Sequence, residues 1–558
     1  MQEQQQAAGH LIVEALAAQG AERVFCVPGE SYLPVLDGLH DASIPVTVCR
    51  QEGGAAMMAE AHGKLTGRPG ICMVTRGPGA TNAAAGVHVA QQDRTPMILF
   101  VGQIDSQMRE RDAFQEVDYR QMFGKMAKWV AEIDHASRIP EFIARAYRIA
   151  MSGNPGPVVL ALPEDMLQQS ASPKPVVRVE PVAAALSNLQ QAELEAKLSA
   201  AKRPLAIVGG ARWSAAAVAS LQKSAEKLNL PVACGFRRQM LFDHTHPCYA
   251  GDVGIGINPA LRAAIEAADL LLVIGEELSE MPSQSYELLD IPVPEQQLLH
   301  VLPDPLALGR LYQPDLAICA DPASFCAALE TIAQSLETNW QEWRDARRTD
   351  YEAWSGARPQ IPGSLQMREV MEVIACHAPT DTIITNGAGN YATWVHRFHR
   401  FRSFGSQLAP TSGSMGYGLP AAIAAKLQHP DRQVLCFAGD GCLQMTIQEL
   451  ATAAQEQANI IVIAVDNGMY GTIRMHQERT YPGRVSATTL QNPDFGSIAT
   501  AYGFAAHRVE TAAQFEGALK TALAHNRPSF LHLLLDPEAI TPAASLSQIR
   551  TAAQQKNP

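Results

Sequence analysis

The sequence predicts an α/β protein of three consecutive doubly wound, mainly parallel-sheet domains, and three observations predict it. Apolar runs of about five to seven residues recur with amphipathic stretches between them, the signature of strands buried on both faces under helices. The runs fall into three groups separated by breaks in the pattern. The length of 558 residues suits about three domains at roughly 100 to 200 residues each.

The first group, "ERVFCV", "IPVTVC", "GICMVT", "PMILFV" and "GPVVLALP", places a domain at 1–170. The Pro- and Val-rich stretch "SASPKPVVRVEPV" at 170–182 then reads as an extended linker. The pattern resumes with "RPLAIVGG", "LPVACG", "ADLLLVIG" and "QLLHVLP", a second unit at 185–345, closed by the charged segment "NWQEWRDARRTDYEAWSG". "TIITNG", "QVLCFAGDG", "ANIIVIAVDNG" and "SFLHLLLD" define a third at 360–558.

Apolar residues make up 47% of the chain and charged ones only 18%, below the usual quarter, so burial against other subunits is expected and an oligomer with it. The net charge of −12 comes without a basic block interleaved with aromatics, which argues against nucleic acid. The start lacks a basic region followed by an apolar one, and no run approaches the ~20 residues that span a bilayer, so a cytoplasmic protein without membrane contact is expected. Ten cysteines without a CxxC pair, several inside apolar runs as at Cys72 and Cys436, read as buried thiols rather than disulfides or a metal site.

The chemistry concentrates in "FAGDGCLQMTIQELATAAQEQANIIVIAVDNGMYGT". "QVLCFAG" reads as a buried strand, "MTIQELATAAQEQ" as a helix and "NIIVIAVDN" as a second strand, together a βαβ unit. A right-handed crossover makes the strands parallel, so Asp440 and Asn467, 27 positions later, both emerge at the carboxyl edge, where such sheets bind ligands. A carboxylate, an amide oxygen and a main-chain carbonyl suit Mg²⁺ that shares its shell with phosphates. Gly439 and Gly441 let the backbone approach phosphate oxygens, and the following helix offers free N–H groups. The other reading makes Asp440 a helix cap and Asn467 a turn residue.

GDG followed by an Asn near this distance, with "MxxxEL" opening the helix, resembles the motif of the thiamin diphosphate enzymes. "QLAPTSGSMGYGLPAAIAAKL" at 407–427 is similar to the segment preceding it in the acetohydroxyacid (acetolactate) synthase branch, and "RQEGGAAMMAEAHGKLTGRPGICMVTRGPGATN" at 50–82 to the N-terminal signature. The resemblance covers nearly the whole chain, in the order pyrimidine-binding, middle and diphosphate-binding domain.

That resemblance implies thiamin diphosphate and Mg as cofactors. It assigns Glu52 to the far ring nitrogen of the aminopyrimidine, favouring the tautomer whose exocyclic nitrogen takes the thiazolium C2 proton, a task suited to a carboxyl in apolar surroundings. Met415 matches the bulky residue under the folded cofactor, with Gly413 beside it. The resemblance also assigns the metal to Asp440, Asn467 and the Met469 carbonyl and places Gly439, Gly441, Cys442, Tyr470, Gly471 and Thr472 near the diphosphate, with Asn390 a further candidate. Gln115 resembles an active-site glutamine of the branch, with Phe114 facing substrate; Glu30 and Ser31 occupy a loop near the thiazolium in relatives. His88 stands where some relatives carry a histidine pair, here absent, and reads as a buried histidine.

Two departures bear on substrate. The branch carries a pocket tryptophan shortly after the metal Asn, where this chain has His476. The middle domain has the Gly-Gly of "AIVGGARWS" but "GEELSEMPSQSY" in place of the Arg-rich run of flavin-carrying relatives, so FAD is not favoured. The expected activity is a carboligase or decarboxylase acting on 2-oxo acids. The alternatives are a lyase on 2-hydroxy ketones and an FAD-linked oxidoreductase. The resemblance implies a homodimer or homotetramer with active sites between subunits.

Overall fold

The computed structural model describes residues 5–556. It contains three six-stranded sheets in which every ladder is parallel. The first is built from β1 (Val24–Cys26), β2 (Val46–Val48), β3 (Gly70–Val74), β4 (Met97–Gln103), β5 (Trp129–Glu132) and β6 (Pro157–Pro163), in the spatial order β2-β1-β3-β4-β6-β5. The second comprises β7 (Pro204–Val208), β8 (Val232–Gly235), β9 (Tyr249–Val253), β10 (Leu270–Ile274), β11 (Gln297–Leu302) and β12 (Leu316–Cys319), ordered β9-β8-β7-β10-β11-β12. The third comprises β13 (Ile383–Asn386), β14 (Gln407–Leu408), β15 (Val434–Gly439), β16 (Ile461–Asp466), β17 (Ala505–Val509) and β18 (Ser529–Leu534), ordered β14-β13-β15-β16-β18-β17.

The first and third sheets therefore share one strand order, although no repeat is visible in the sequence. The second has the 3-2-1-4-5-6 order of dinucleotide-binding folds. Each apolar run singled out in the sequence is a strand, and all but the edge strand β2 are buried almost throughout because helices cover both faces.

The chain divides into two compact units. One holds the described residues up to Val182 with Pro410–Asp431 and Gln444–Ile460; it contains the first sheet and the helices α1 (Glu52–Thr66), α2 (Gly77–Gln92) and α3 (Gly418–Gln428). α1 and α2 are rich in Ala and Gly, which lets their backbones approach closely: a Cβ at Gly86 would stand 2.4 Å from that of Ala56. The expected linker is tied down along part of its length. Ser170–Ala171 pairs antiparallel with Gln6–Ala7, and the Gln19 side chain bonds Val177 O and Val179 N at 2.9 and 2.8 Å.

The other unit holds the second and third sheets, with α4 (Gly471–Thr480) and α5 (Leu546–Lys556). Buried polar contacts join its two sheets: Gln239 donates from its side chain to His396 O at 2.7 Å and from its backbone to Gln407 Oε1 at 2.8 Å.

The stretch read as one helix after the GDG motif is broken. A short helix spans Asp440–Gln444, a single tight turn Ile447–Glu449, and a second short helix Leu450–Gln455. Thr446 leaves helical geometry at φ −140°, and its hydroxyl is held by Gly416 O at 2.7 Å. All ten cysteines are free thiols, and eight are buried.

Candidate cofactor site

In the third sheet the strand order reverses between β13 and β15, so the crevice at their carboxyl ends is the place where such folds bind ligands. Gly439 and Asp440 form one wall, and the Gly387–Tyr391 loop the other. β15 and β16 pair with Gly439 opposite Val465, which brings Asp440 beside the Asp466–Met469 turn as the spacing predicts.

Asp440 is 3% exposed and accepts hydrogen bonds from Asn492 Nδ2 at 2.7 Å and Met469 N at 3.2 Å. Burial, with a contribution from the neighbouring Asp466 carboxylate, raises its pKa to about 6. Asp466 shifts the opposite way, because bonds from His532, Asn492 and Gly468 N outweigh its own burial. Asn492 donates to both carboxylates, at 2.7 and 2.8 Å, and keeps them apart.

Met469 sits in an isolated antiparallel bridge with Thr489, bonded through Tyr470 N to Thr488 O and Leu490 N to Gly468 O. In this widely spaced pairing the central residue's own N–H and C=O both point away from the partner strand. That side is Asp440's, since Met469 N bonds its carboxylate. Among the described residues none hydrogen-bonds the Asn467 side-chain amide. A buried carboxylate, a free amide and a carbonyl on one side of a turn fit a hard cation that completes its shell with phosphate oxygens. Among those residues there is no cluster of three or more His, Cys, Asp or Glu that could hold a metal.

The two motif glycines have a second reason to be glycine. A Cβ at Gly439 would lie 2.8 Å from the Tyr391 ring and one at Gly441 2.5 Å from the Tyr470 ring, so tyrosines pack where side chains would stand. Tyr391 O–H donates to Cys442 Sγ at 3.3 Å and accepts from Gly387 N at 3.1 Å. Asn390 Oδ1 accepts from Thr472 Oγ1 at 2.9 Å, tying the β13 loop to the first turn of α4. Thr472 and Gly471 lie at the α4 N-terminus, and His476 is on its exposed side.

α4 is itself pinned through Glu478, a residue that the sequence reading missed. Its carboxylate accepts from Arg550 Nε and Nη2 at 2.8 Å, from Arg474 Nη2 at 2.7 Å and from Gly483 N at 2.8 Å. These bonds, Arg550's above all, hold its pKa down from 4.5 to about 2. A depressed pKa stabilises the fold above the unfolded value, and that stabilisation is lost as pH falls from about 4.5 through about 2. Glu478→Gln is therefore expected to cost on the order of 3 kcal/mol at neutral pH, with the deficit closing toward pH 2. Urea midpoints measured against pH would refute this if the deficit stayed constant.

The first unit carries the other candidates. Glu52 opens α1, is half-buried and accepts from Asn82 Nδ2 at 2.9 Å; its surroundings are more polar than "EGGAAMMA" suggests, because the apolar residues of that run face the sheet and α2. Two residues before it, Arg50 N donates to Glu449 at 3.2 Å. Glu449 is fully buried, with its pKa raised by burial, and lies against Gly54, so it anchors the start of α1.

The loop with Gly413 and Met415 is clamped to the same helix. Tyr417 O–H donates to Glu60 Oε2 at 2.6 Å, Thr411 N donates to Asp93 Oδ1 at 2.8 Å, and Lys64 Nζ lies 2.7 Å from Asp93 and 3.1 Å from Glu60. Acidic and basic residues inside an Ala-rich, otherwise buried helix were the signal available in the sequence. Lys64→Met removes the ammonium shared by two buried carboxylates, and a loss of about 3–5 kcal/mol is expected; a loss below about 1 kcal/mol in chemical denaturation would show that the clamp contributes little.

Gln115 is half-buried at φ +65°, with its carbonyl accepting from Gly77 N at 3.2 Å, while Phe114 beside it is 74% exposed. Ser31 is buried, its hydroxyl 3.0 Å from Thr75 Oγ1 and its side chain against Gly102, whereas Glu30 is exposed. His88, expected to be buried, lies on the exposed face of α2, because Val87 and Val89 take the inward positions.

Three family models match the chain in order: the thiamine pyrophosphate enzyme N-terminal TPP binding domain over residues 6–122, the central domain over 192–329 and the C-terminal TPP binding domain over 387–533. The acetolactate synthase isozyme 2 large subunit of Escherichia coli (strain K12) is 30% identical over 547 residues, covering 96% of this chain and 98% of that protein. The acetolactate synthase large subunit of Corynebacterium glutamicum is 32% identical over 546 residues, 95% of this chain and 86% of that protein. Isozyme 1 of the Escherichia coli enzyme is 31% identical over 534 residues, 94% and 93% of the two chains.

Proposed function

The chain belongs to the thiamine pyrophosphate enzymes, in their acetolactate synthase-like branch, and on that premise we propose that it is a Mg²⁺-dependent carboligase or decarboxylase of 2-oxo acids. The observation that carries the reading is the turn at the carboxyl end of β16, where Met469 faces the buried Asp440 and the Asn467 amide has no hydrogen-bond partner among the described residues. When bound, thiamin diphosphate supplies the electron sink for making and breaking bonds at a carbonyl carbon.

This chain's own residues do the rest. Asp440, Asn467 and the Met469 carbonyl would hold the metal, and the α4 N-terminus at Gly471 and Thr472 would offer its N–H groups to the diphosphate. Met415, fixed by the Lys64–Glu60–Asp93 clamp, supports the cofactor's fold. Glu52 Oε would hold the proton shared with the aminopyrimidine, and Gln115 would orient a carbonyl. The branch to which the chain belongs implies a site completed by a second copy, and hence a dimer or a pair of dimers. Boundaries at 1–170, 185–345 and 360–558 and a cytoplasmic location belong to the same reading; ten free thiols suit a reducing compartment. Among the described residues no helix is long and apolar enough to cross a membrane.

The test incubates the protein with thiamin diphosphate, with and without Mg²⁺, against a panel of 2-oxo acids with and without acceptor aldehydes, reading CO₂ and ligated product separately. Ligated product that needs both cofactors is expected. CO₂ with free aldehyde alone would make the enzyme a decarboxylase, cleavage of 2-hydroxy ketones without any ligation a lyase, and turnover that ignores Mg²⁺ would overturn the metal assignment.

A further inference from the structure

The second sheet has the strand order of dinucleotide-binding folds, with its crevice between the carboxyl ends of β7 and β10. Dinucleotide sites of this kind need a glycine after the first strand so that the pyrophosphate can approach the backbone, a free helix N-terminus behind it, and open space in front. Gly209 and Gly210 stand at the required place, and each remaining requirement is already taken up by the protein itself.

Glu276, the second residue after β10, is 7% exposed and reaches back across the crevice. Its Oε2 would be 2.1 Å from a Cβ at Gly209 and 2.2 Å from one at Gly235, so the carboxylate lies directly over the ends of β7 and β8. Its other oxygen accepts from Leu278 N at 3.2 Å, and its carbonyl bonds His300 Nε2 at 2.8 Å, which fixes the loop. The two loops touch through their backbones, with a Cβ at Gly210 only 1.9 Å from Gly275 O. The helix that follows β7 is capped by Ser214, whose side chain accepts from Ala217 N. Arg212 is paired with Asp321 at 2.5 Å, and Arg238 donates from Nε to Gly210 O at 2.8 Å.

We propose that the middle domain excludes dinucleotides and that Glu276 is the plug: its carboxyl group occupies the volume over Gly209 and Gly235 that a pyrophosphate needs. The glycines are kept for the plug's own packing, so the Gly-Gly signal in the sequence does not report a flavin site here. FAD does not fit this chain, and no electron transfer is routed through the middle domain. This inference rests on the second sheet alone and stands or falls independently of the carboligase reading.

The experiment is equilibrium dialysis of the full-length protein, with thiamin diphosphate and Mg²⁺ present, against FAD and separately against ADP at about 100 µM, a concentration that fills a site of Kd below about 10 µM nearly completely. No retained flavin absorbance and no bound ADP are expected. Near-stoichiometric binding of either by the unaltered protein would overturn the exclusion. Glu276→Gly is expected to bind ADP at least about tenfold more tightly than the parent, with unchanged near-ultraviolet circular dichroism. A folded Glu276→Gly that binds no better would remove Glu276 as the plug. Should that variant not fold, Glu276→Ala is read in the same way.

Discussion

Asp440→Ala is expected to lose metal-dependent binding of thiamin diphosphate while keeping the fold. Losing even a supporting partner of a metal ligand costs about 10–100-fold in affinity, so removing the only carboxylate of this donor set should cost on the order of 100-fold or more. The fold should survive for a local reason. Asp440 is buried against Asp466, and its charge is opposed by desolvation, so deleting it relieves a repulsion as it removes two hydrogen bonds. Asn492→Ala is the informative companion. It keeps both carboxylates and removes the amide between them, so it should lower stability more than Asp440→Ala does, yet leave the metal donors in place. Titration of the cofactor with and without Mg²⁺, followed by tryptophan fluorescence, reads the first effect, and thermal unfolding the second. An Asp440→Ala protein that binds thiamin diphosphate as the parent does would reject the assignment of the metal site.

Glu52→Gln should do the reverse, leaving cofactor binding within a few-fold and slowing turnover by about 10²–10⁴, the range for removal of a positioned acid or base. Glutamine fills the same volume and still accepts from Asn82, so α1 keeps its first turn. What is lost is the capacity to hold and return a proton. Deuterium exchange at thiazolium C2 of added cofactor measures this step without knowledge of the substrate. Exchange and turnover within about threefold of the parent would show that Glu52 has no part in proton transfer.

Apart from the edge strand Val46–Val48, the strands legible in the sequence were those inside the sheets. "GICMVT", "ADLLLVIG" and "NIIVIAVDN" are continuous apolar runs because helices cover both of their faces. The strands it hid are edges. Trp129–Glu132, Tyr249–Val253, Leu316–Cys319, Gln407–Leu408 and Ala505–Val509 each border a sheet and are at most five residues long. Their membership is conferred by the neighbour they pair with, which lies elsewhere in the chain. The same holds at the candidate site. The spacing of Asp440 and Asn467 carried their juxtaposition, since a βαβ crossover has one hand and one length scale. Asn492, Glu449 and Glu478 were invisible as site supports, because each acts on residues that are distant in sequence or separated by a loop of unpredictable course.

By itself, then, the sequence determined the class of fold, the number of parallel sheets and the juxtaposition of Asp440 with the Asp466–Met469 turn, because these depend on periodicity and on motifs whose parts lie within one supersecondary unit. Only the tertiary structure decided which way side chains turn once the sheets are packed. Burial of Glu276 over Gly209 and Gly235, the tyrosine rings on Gly439 and Gly441, and the exposure of His88 follow from which volumes are left between elements. A dense interior settles those volumes collectively, so no local stretch of residues carries the answer.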